Sequence, residues 1–130
     1  MPRNEMVYTG KEKPLILIAE DNPSNFHLFE TILKKDYALI HAWNGKEAVL
    51  LFEEHRPHLI LMDIKMPLID GYEATQKIRE KSLSVPIIAV TAYAFGSDET
   101  RIMNSGFNAY ISKPIQSGLL KETILKMLIR

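Results

Sequence analysis

Five times along this chain a short apolar run is followed by a stretch whose apolar residues recur at helical spacing. That alternation limits the fold more than any other feature. Leu15-Ile16-Leu17-Ile18-Ala19 is a continuous apolar run of strand length, as expected of a strand buried on both faces. Glu20 and Asp21 end it, Asn22 offers an N-cap, and Pro23 takes the favoured first helical position. Phe26, Phe29, Ile32 and Leu33 then predict a helix to about Lys35. The second unit joins a strand over Tyr37–Ala42 to an Asn44-Gly45 turn and a helix carrying Ala48, Val49 and Phe52, which Pro57 stops. The third joins a strand over His58–Met62, through Asp63 and a Pro/Gly loop, to a helix after Gly71 with Tyr72, Thr75 and Ile78. In the fourth, a strand over Val85–Val90 leads through the loop Thr91–Gly96 to a short helix capped by Ser97 and ended by Gly106. The fifth has a strand over Phe107–Ser112, a break at Lys113-Pro114, and a Ser117-capped helix with Leu120, Ile124, Met127 and Leu128.

Five βα units in series predict a single α/β domain: a parallel sheet, helices on both faces, right-handed crossovers. The periodicity leaves the strand order open. A length of 130 residues suits one domain with one core. Residues 1–13 read as a tail or linker, with Val7 and Tyr8 able to dock on the body, and residues 14–130 as the domain. Sixteen basic residues balance sixteen acidic ones, so whole-chain charge gives no case for nucleic acid or an anionic membrane as a direct partner. Absence of cysteine excludes disulfides, thiolate catalysis and Cys-ligated zinc. Met1–Lys13 has no apolar core of a signal peptide, and no apolar run approaches the ~18 residues of a membrane span. A cytoplasmic protein is expected, either free or as the cytoplasmic part of a membrane-bound protein.

In such a sheet, ligands bind beyond the carboxyl ends of the strands. Those ends carry Glu20 and Asp21, then Asp63, Thr91 and Lys113. Asp63 alone reads equally as a turn-capping residue or as a reactive group held by rigid β-structure. Three carboxylates on one edge repel one another, and a divalent ion relieves that. Hard oxygen ligands with open positions suit Mg²⁺, which keeps waters for a phosphoryl group. A hydroxyl and an ammonium nearby can hold phosphoryl oxygens, and an aspartate can itself accept the group as an acyl phosphate.

These residues resemble a known family. Ala19-Glu20-Asp21-Asn22-Pro23, Leu61-Met62-Asp63-Ile64-Lys65-Met66-Pro67 with Asp70-Gly71, Val90-Thr91-Ala92, and Tyr110-Ile111-Ser112-Lys113-Pro114 occur in order, each at a strand end. Together they look like the receiver domain of response regulators in two-component signalling, over about Pro14 to Leu128. The resemblance implies a flavodoxin-like doubly wound (βα)5 fold with sheet order 2-1-3-4-5 and the first and last helices on one face. It implies Asp63 as phosphoacceptor, Asp21 and Asp63 as direct Mg²⁺ ligands, Glu20 acting through water, and a ligand from the Lys65 backbone carbonyl. It further implies Thr91 and Lys113 on phosphoryl oxygens, Tyr110 as a rotating aromatic switch, a cis Lys113-Pro114 peptide, and a surface of the fourth helix, fifth strand and fifth helix that responds. The phosphodonor would be a histidine kinase or a histidine phosphotransfer domain. Lys65 and Tyr93 are expected to flank the path of a hydrolytic water and to tune the phosphoryl lifetime to minutes or more.

The motif wording is most like the receiver of a hybrid histidine kinase; a stand-alone single-domain regulator, with no output domain after Arg130, is the alternative. The apolar last helix permits a monomer or a weak homodimer. His27, His41, His55 and His58 have no ligand spacing and read as structural, with none placed as a phosphohistidine; Trp43 supports the second loop. A haloacid-dehalogenase-like phosphatase also uses a strand-end Asp and Mg²⁺, but needs a second Asp where this chain has Lys65. A flavodoxin-like FMN protein needs a hydroxyl- and Gly-rich loop where this chain has Glu20-Asp21-Asn22-Pro23.

Overall fold

A computed structural model describes residues 12–92 and 96–129. Val7, Tyr8 and Tyr93, and most of the expected tail, lie outside the described residues. The elements alternate as β1 (Leu15–Ala19), α1 (Pro23–Leu33), β2 (Ala38–Ala42), α2 (Gly45–His55), β3 (Leu59–Asp63), α3 (Gly71–Arg79), β4 (Ile87–Thr91), α4 (Ser97–Met103), β5 (Ala109–Ser112) and α5 (Ser117–Ile129). All strand pairs are parallel, and the sheet order is β2-β1-β3-β4-β5.

The three central strands are apolar up to the Asp63 and Thr91 that end β3 and β4, because each feeds two cores. Leu17, Ala19, Ile60, Met62, Ile87 and Ala89 face a layer formed by Ala48 and Phe52 of α2, Ala74 and Ile78 of α3, and Ile102 of α4. Their neighbours Ile16, Ile18, Leu59, Leu61, Ile88 and Val90 face Phe29 and Leu33 of α1 and Leu120 and Ile124 of α5. The period-two alternation of a strand sends successive side chains to opposite faces. Helices α1 and α5 therefore share one face, and α2, α3 and α4 the other.

Capping fixes where each helix begins, and so the loops at the site. Asn22, Asn44 and Asp70 have extended backbone, and their side chains accept from the N–H groups of Asn25, Glu47 and Glu73. Asn44-Gly45 is thus the start of α2 rather than a separate turn. Two other caps differ from expectation. Gly96, at φ 52° and with no side-chain cap bond, precedes α4, and Ser97 is its first residue. Ser117 likewise lies inside α5 as its first residue. Strands β2, β3, β4 and β5 begin one or two residues later than expected, and β3 and β4 extend to include Asp63 and Thr91.

Gly71 is required by close approach: a Cβ there would lie 2.3 Å from the Asp63 carbonyl oxygen and 2.9 Å from Ile64 Cα. Its N–H also donates to the Ile64 carbonyl at 2.8 Å, closing the β3–α3 loop. Since both obstacles are backbone, Gly71→Ala is expected to cost about 2–3 kcal/mol in urea unfolding, the usual scale of overpacking. Wild-type stability for this variant would show that the loop yields freely.

Candidate functional site

The carboxyl ends of β1, β3, β4 and β5 converge on one cleft of about 400 Å³. Glu20, Asp21, Asp63, Lys65, Thr91 and Lys113 all line it, so every strand-end residue expected at the reactive edge is brought there, Lys65 included. One carboxylate oxygen each from Glu20, Asp21 and Asp63 lies within 4.8 Å of the others, the Glu20 and Asp63 groups buried and Asp21 exposed. The Lys113 ammonium stands 3.2 Å from Asp63 Oδ2, to which it donates, and 3.5 Å from Glu20 Oε1. The Lys113–Pro114 peptide is cis, as the resemblance implies. The Lys113 N–H donates to the Thr91 carbonyl at 2.8 Å, tying the ends of β4 and β5 together.

Burial sets the electrostatics. Glu20 is 1% and Asp63 5% exposed. Loss of hydration, reinforced by the negative charge of Asp63, pushes the Glu20 carboxyl up to about 7. Burial also raises Asp63, against the opposing pull of the Lys113 charge and a hydrogen bond from the Lys65 backbone amide. Glu20 Oε2 accepts the Asn22 N–H at 3.1 Å, whereas the buried Oε1 has no hydrogen-bond donor. With only the Lys113 ammonium 3.5 Å away to meet its charge, that oxygen, beside two further carboxylates, suits a divalent cation. The donor set is all oxygen and partly open to solvent, which fits Mg²⁺ better than a softer metal.

Several participants carry no sequence motif. Asp98 and Arg101, one turn apart on α4, line the cleft, and the Arg101 guanidinium lies 3.7 Å from the centroid of the Tyr72 ring. Their i,i+3 spacing beyond the Thr91 loop is the one signal that could have placed them. Tyr110 on β5 donates its hydroxyl to Glu99 of α4, and that carboxylate holds the phenol above its usual range. Of the histidines, His58 Nδ1 accepts from the Leu15 N–H at 2.9 Å, while His27 and His55 lie near Glu30 and Glu54 on the surface. A larger groove of about 810 Å³ between α3 and α4 mixes Lys77, Arg79 and Arg101 with Asp70, Glu73 and Glu80, and none of the three clustered carboxylates lines it.

Residues 16–125 match the family model of the response regulator receiver domain. The chain belongs to that family. This receiver domain is 45% identical over 112 residues to the polar-differentiation response regulator DivK of Brucella anthropi, a match covering 84% of this chain and 91% of DivK. Among solved structures, it resembles the receiver domain of a sensor histidine kinase from Pseudomonas aeruginosa, crystallised with a magnesium ion coordinated in its active-site cleft. There the TM-score is 0.84 at 35% identity, covering 89% of this chain and 98% of that one. A CheY-like receiver domain protein from Methanospirillum hungatei gives a TM-score of 0.84 at 30% identity, covering 90% and 94%. Among the described residues, no helix is long and apolar enough to cross a membrane.

Proposed function

We propose that this receiver domain accepts a phosphoryl group on Asp63 from a phosphohistidine of a histidine kinase or phosphotransfer domain. One observation carries the reading: Asp63 stands at the end of β3, next to the paired acids Glu20 and Asp21 and 3.2 Å from the Lys113 ammonium. In the transfer, an Asp63 oxygen attacks phosphorus, the P–N bond to the donor imidazole breaks, and the imidazole leaves with the bonding pair. Lys113 meets the negative charge on the transferred oxygens, with the Thr91 hydroxyl as a second contact. Asp21 and Asp63 would hold Mg²⁺ directly, Glu20 through water, and the Lys65 carbonyl would add a ligand. The ion would neutralise charge on the phosphoryl group and relieve the repulsion among the three acids.

The switch reading is supported by a tie between β5 and α4. Tyr110, half-buried against the core, donates its hydroxyl to Glu99 of α4, so a Thr91 drawn toward a phosphoryl group would let the ring shift and free α4. A coupling of ~1–3 kcal/mol is enough to change how the α4-β5-α5 surface meets a partner. Lys65, exposed at the cleft, would shield the acyl phosphate from in-line water and lengthen its lifetime; Tyr93 is assigned the same role from its sequence position. In place of the hybrid-kinase setting suggested by the motifs, the higher identity to DivK favours a free-standing cytoplasmic regulator, monomeric or weakly dimeric.

The test is incubation with Mg²⁺ and acetyl phosphate, read by intact mass and by peptide mapping after borohydride reduction. One phosphoryl group on Asp63, absent when EDTA replaces Mg²⁺, is the expected result. No modification, or modification at another residue, would overturn the reading.

A further inference from the structure

The end of β2 carries an aromatic cluster that neither the motifs nor the phosphoryl chemistry accounts for. The His41 ring stacks on Phe26 of α1, with centroids 3.7 Å apart and planes at 1°, and packs against Trp43 at 4.1 Å. Its Nε2 lies 2.7 Å from the Glu20 carbonyl oxygen. A carbonyl oxygen only accepts, so Nε2 carries the proton and donates it.

That bond occupies a place where the sheet runs out. Glu20 lies one residue past β1, and its N–H still donates to the Ala42 carbonyl at 3.0 Å as the last rung of the β1–β2 ladder. The next rung would bring the N–H of residue 44 to the Glu20 carbonyl. Strand β2 has ended at Ala42, however, and Asn44 serves as the N-cap of α2. A side chain of β2 takes over the role of the missing backbone donor. The carbonyl it holds belongs to the peptide joining Glu20 to Asp21, and the plane of that peptide sets how the two acidic side chains diverge. The stack holds the imidazole in turn, and Trp43 is tethered by its own N–H donating to Glu47 Oε1 at 2.7 Å.

We infer that His41 is a positioning residue for the acidic pair: its Nε2–H on the Glu20 carbonyl fixes the peptide that aims the Glu20 and Asp21 carboxylates at a divalent cation. The inference rests on the metal reading above and adds a group that would not touch the ion. Partners that orient metal ligands typically matter by tenfold or more in affinity.

The experiment is calorimetric titration of the full chain with Mg²⁺ alone, without phosphodonor, and with far-UV circular dichroism to check folding. His41→Phe keeps a flat ring on Phe26 but removes the donor; His41→Gln places an amide N–H near the Nε2 position; His41→Asn keeps the amide but falls a methylene short. The Phe and Asn variants are expected to bind Mg²⁺ about tenfold more weakly, and Gln to return close to wild type. The Asn and Gln pair decides the matter if the Phe variant does not fold. Equal Mg²⁺ affinity in wild type, Asn and Gln variants would overturn the inference while leaving the metal site intact. A wild type whose titration matches that of Asp21→Ala would overturn the metal reading itself, and this inference with it.

Discussion

Asp63→Asn should be more stable than the wild type in the absence of divalent cations, while losing phosphorylation altogether. Burying two adjacent carboxylates is costly, and both folded-state pKa values are raised. The sign follows from proton counting. A carboxyl whose folded pKa is raised binds more protons folded than unfolded as pH climbs, so stability falls as pH rises through that interval. For Glu20 the interval runs from its ordinary 4.5 to about 7. A shift of that size corresponds to at most about 3 kcal/mol, fully felt above neutrality.

The Asp63→Asn substitution would remove one charge and release Glu20 from the repulsion that is its second cause of shift. Lys113 would still pair with Glu20, 3.5 Å away. The expected gain is about 1–2 kcal/mol in urea unfolding with EDTA near pH 8, shrinking near pH 5 where Glu20 is largely protonated and the repulsion is gone. Millimolar Mg²⁺ should stabilise the wild type and leave the variant little changed, because ligand stabilisation scales with the site's affinity. A variant less stable than wild type at high pH would mean that Lys113 offsets the burial of the Asp63 carboxylate in full. Stability conceded at this edge of the sheet is what a site awaiting a cation and a phosphoryl group looks like.

How legible the molecule is from its sequence depends on how local each cause is. Strands β1, β3 and β4 show in the residue pattern because both faces are buried, and their ends therefore point to Glu20, Asp63 and Thr91. The start of β5 is less legible. Asn108 belongs by pattern to the run beginning at Phe107, yet its side chain accepts from the Ile87 N–H and from Arg79, bridging three elements rather than continuing a strand. Helix α4 begins at a positive-φ glycine with no side-chain cap, so the Ser97 signal falls one residue late. Sheet order and the cis peptide rest on family resemblance, since periodicity carries neither. The Tyr110–Glu99 pair spans eleven residues, and His41 meets Glu20 across the sheet at a separation of twenty-one. Contacts of that kind leave no short-range signature; the two residues meet only once the strands have paired.

Lys113 is the second place where a single side chain should have a large effect. Among the described residues, it is the cation that ion-pairs with both Glu20 and Asp63. Lys113→Met keeps the apolar stem and removes the charge. Two buried carboxylates would then face each other unneutralised, and removing one member of a buried pair costs about 3–5 kcal/mol when fully desolvated. The Lys113 side chain is 25% exposed, so water recovers part of that loss. A loss of about 2 kcal/mol near pH 8 is expected, falling below about 1 kcal/mol near pH 5, where Glu20 takes up a proton instead. Adding Glu20→Gln should restore most of it, since the pair would then hold one charge rather than two. Beryllofluoride, a phosphoryl mimic, should bind Lys113→Met at least about tenfold more weakly, because a charge-assisted contact to its fluorides is gone. Equal destabilisation at both pH values, without rescue by Glu20→Gln, would instead mean that the lysine stem packs and its charge is idle. The pH dependence is the discriminating measurement, because packing does not titrate and the carboxylate pair does.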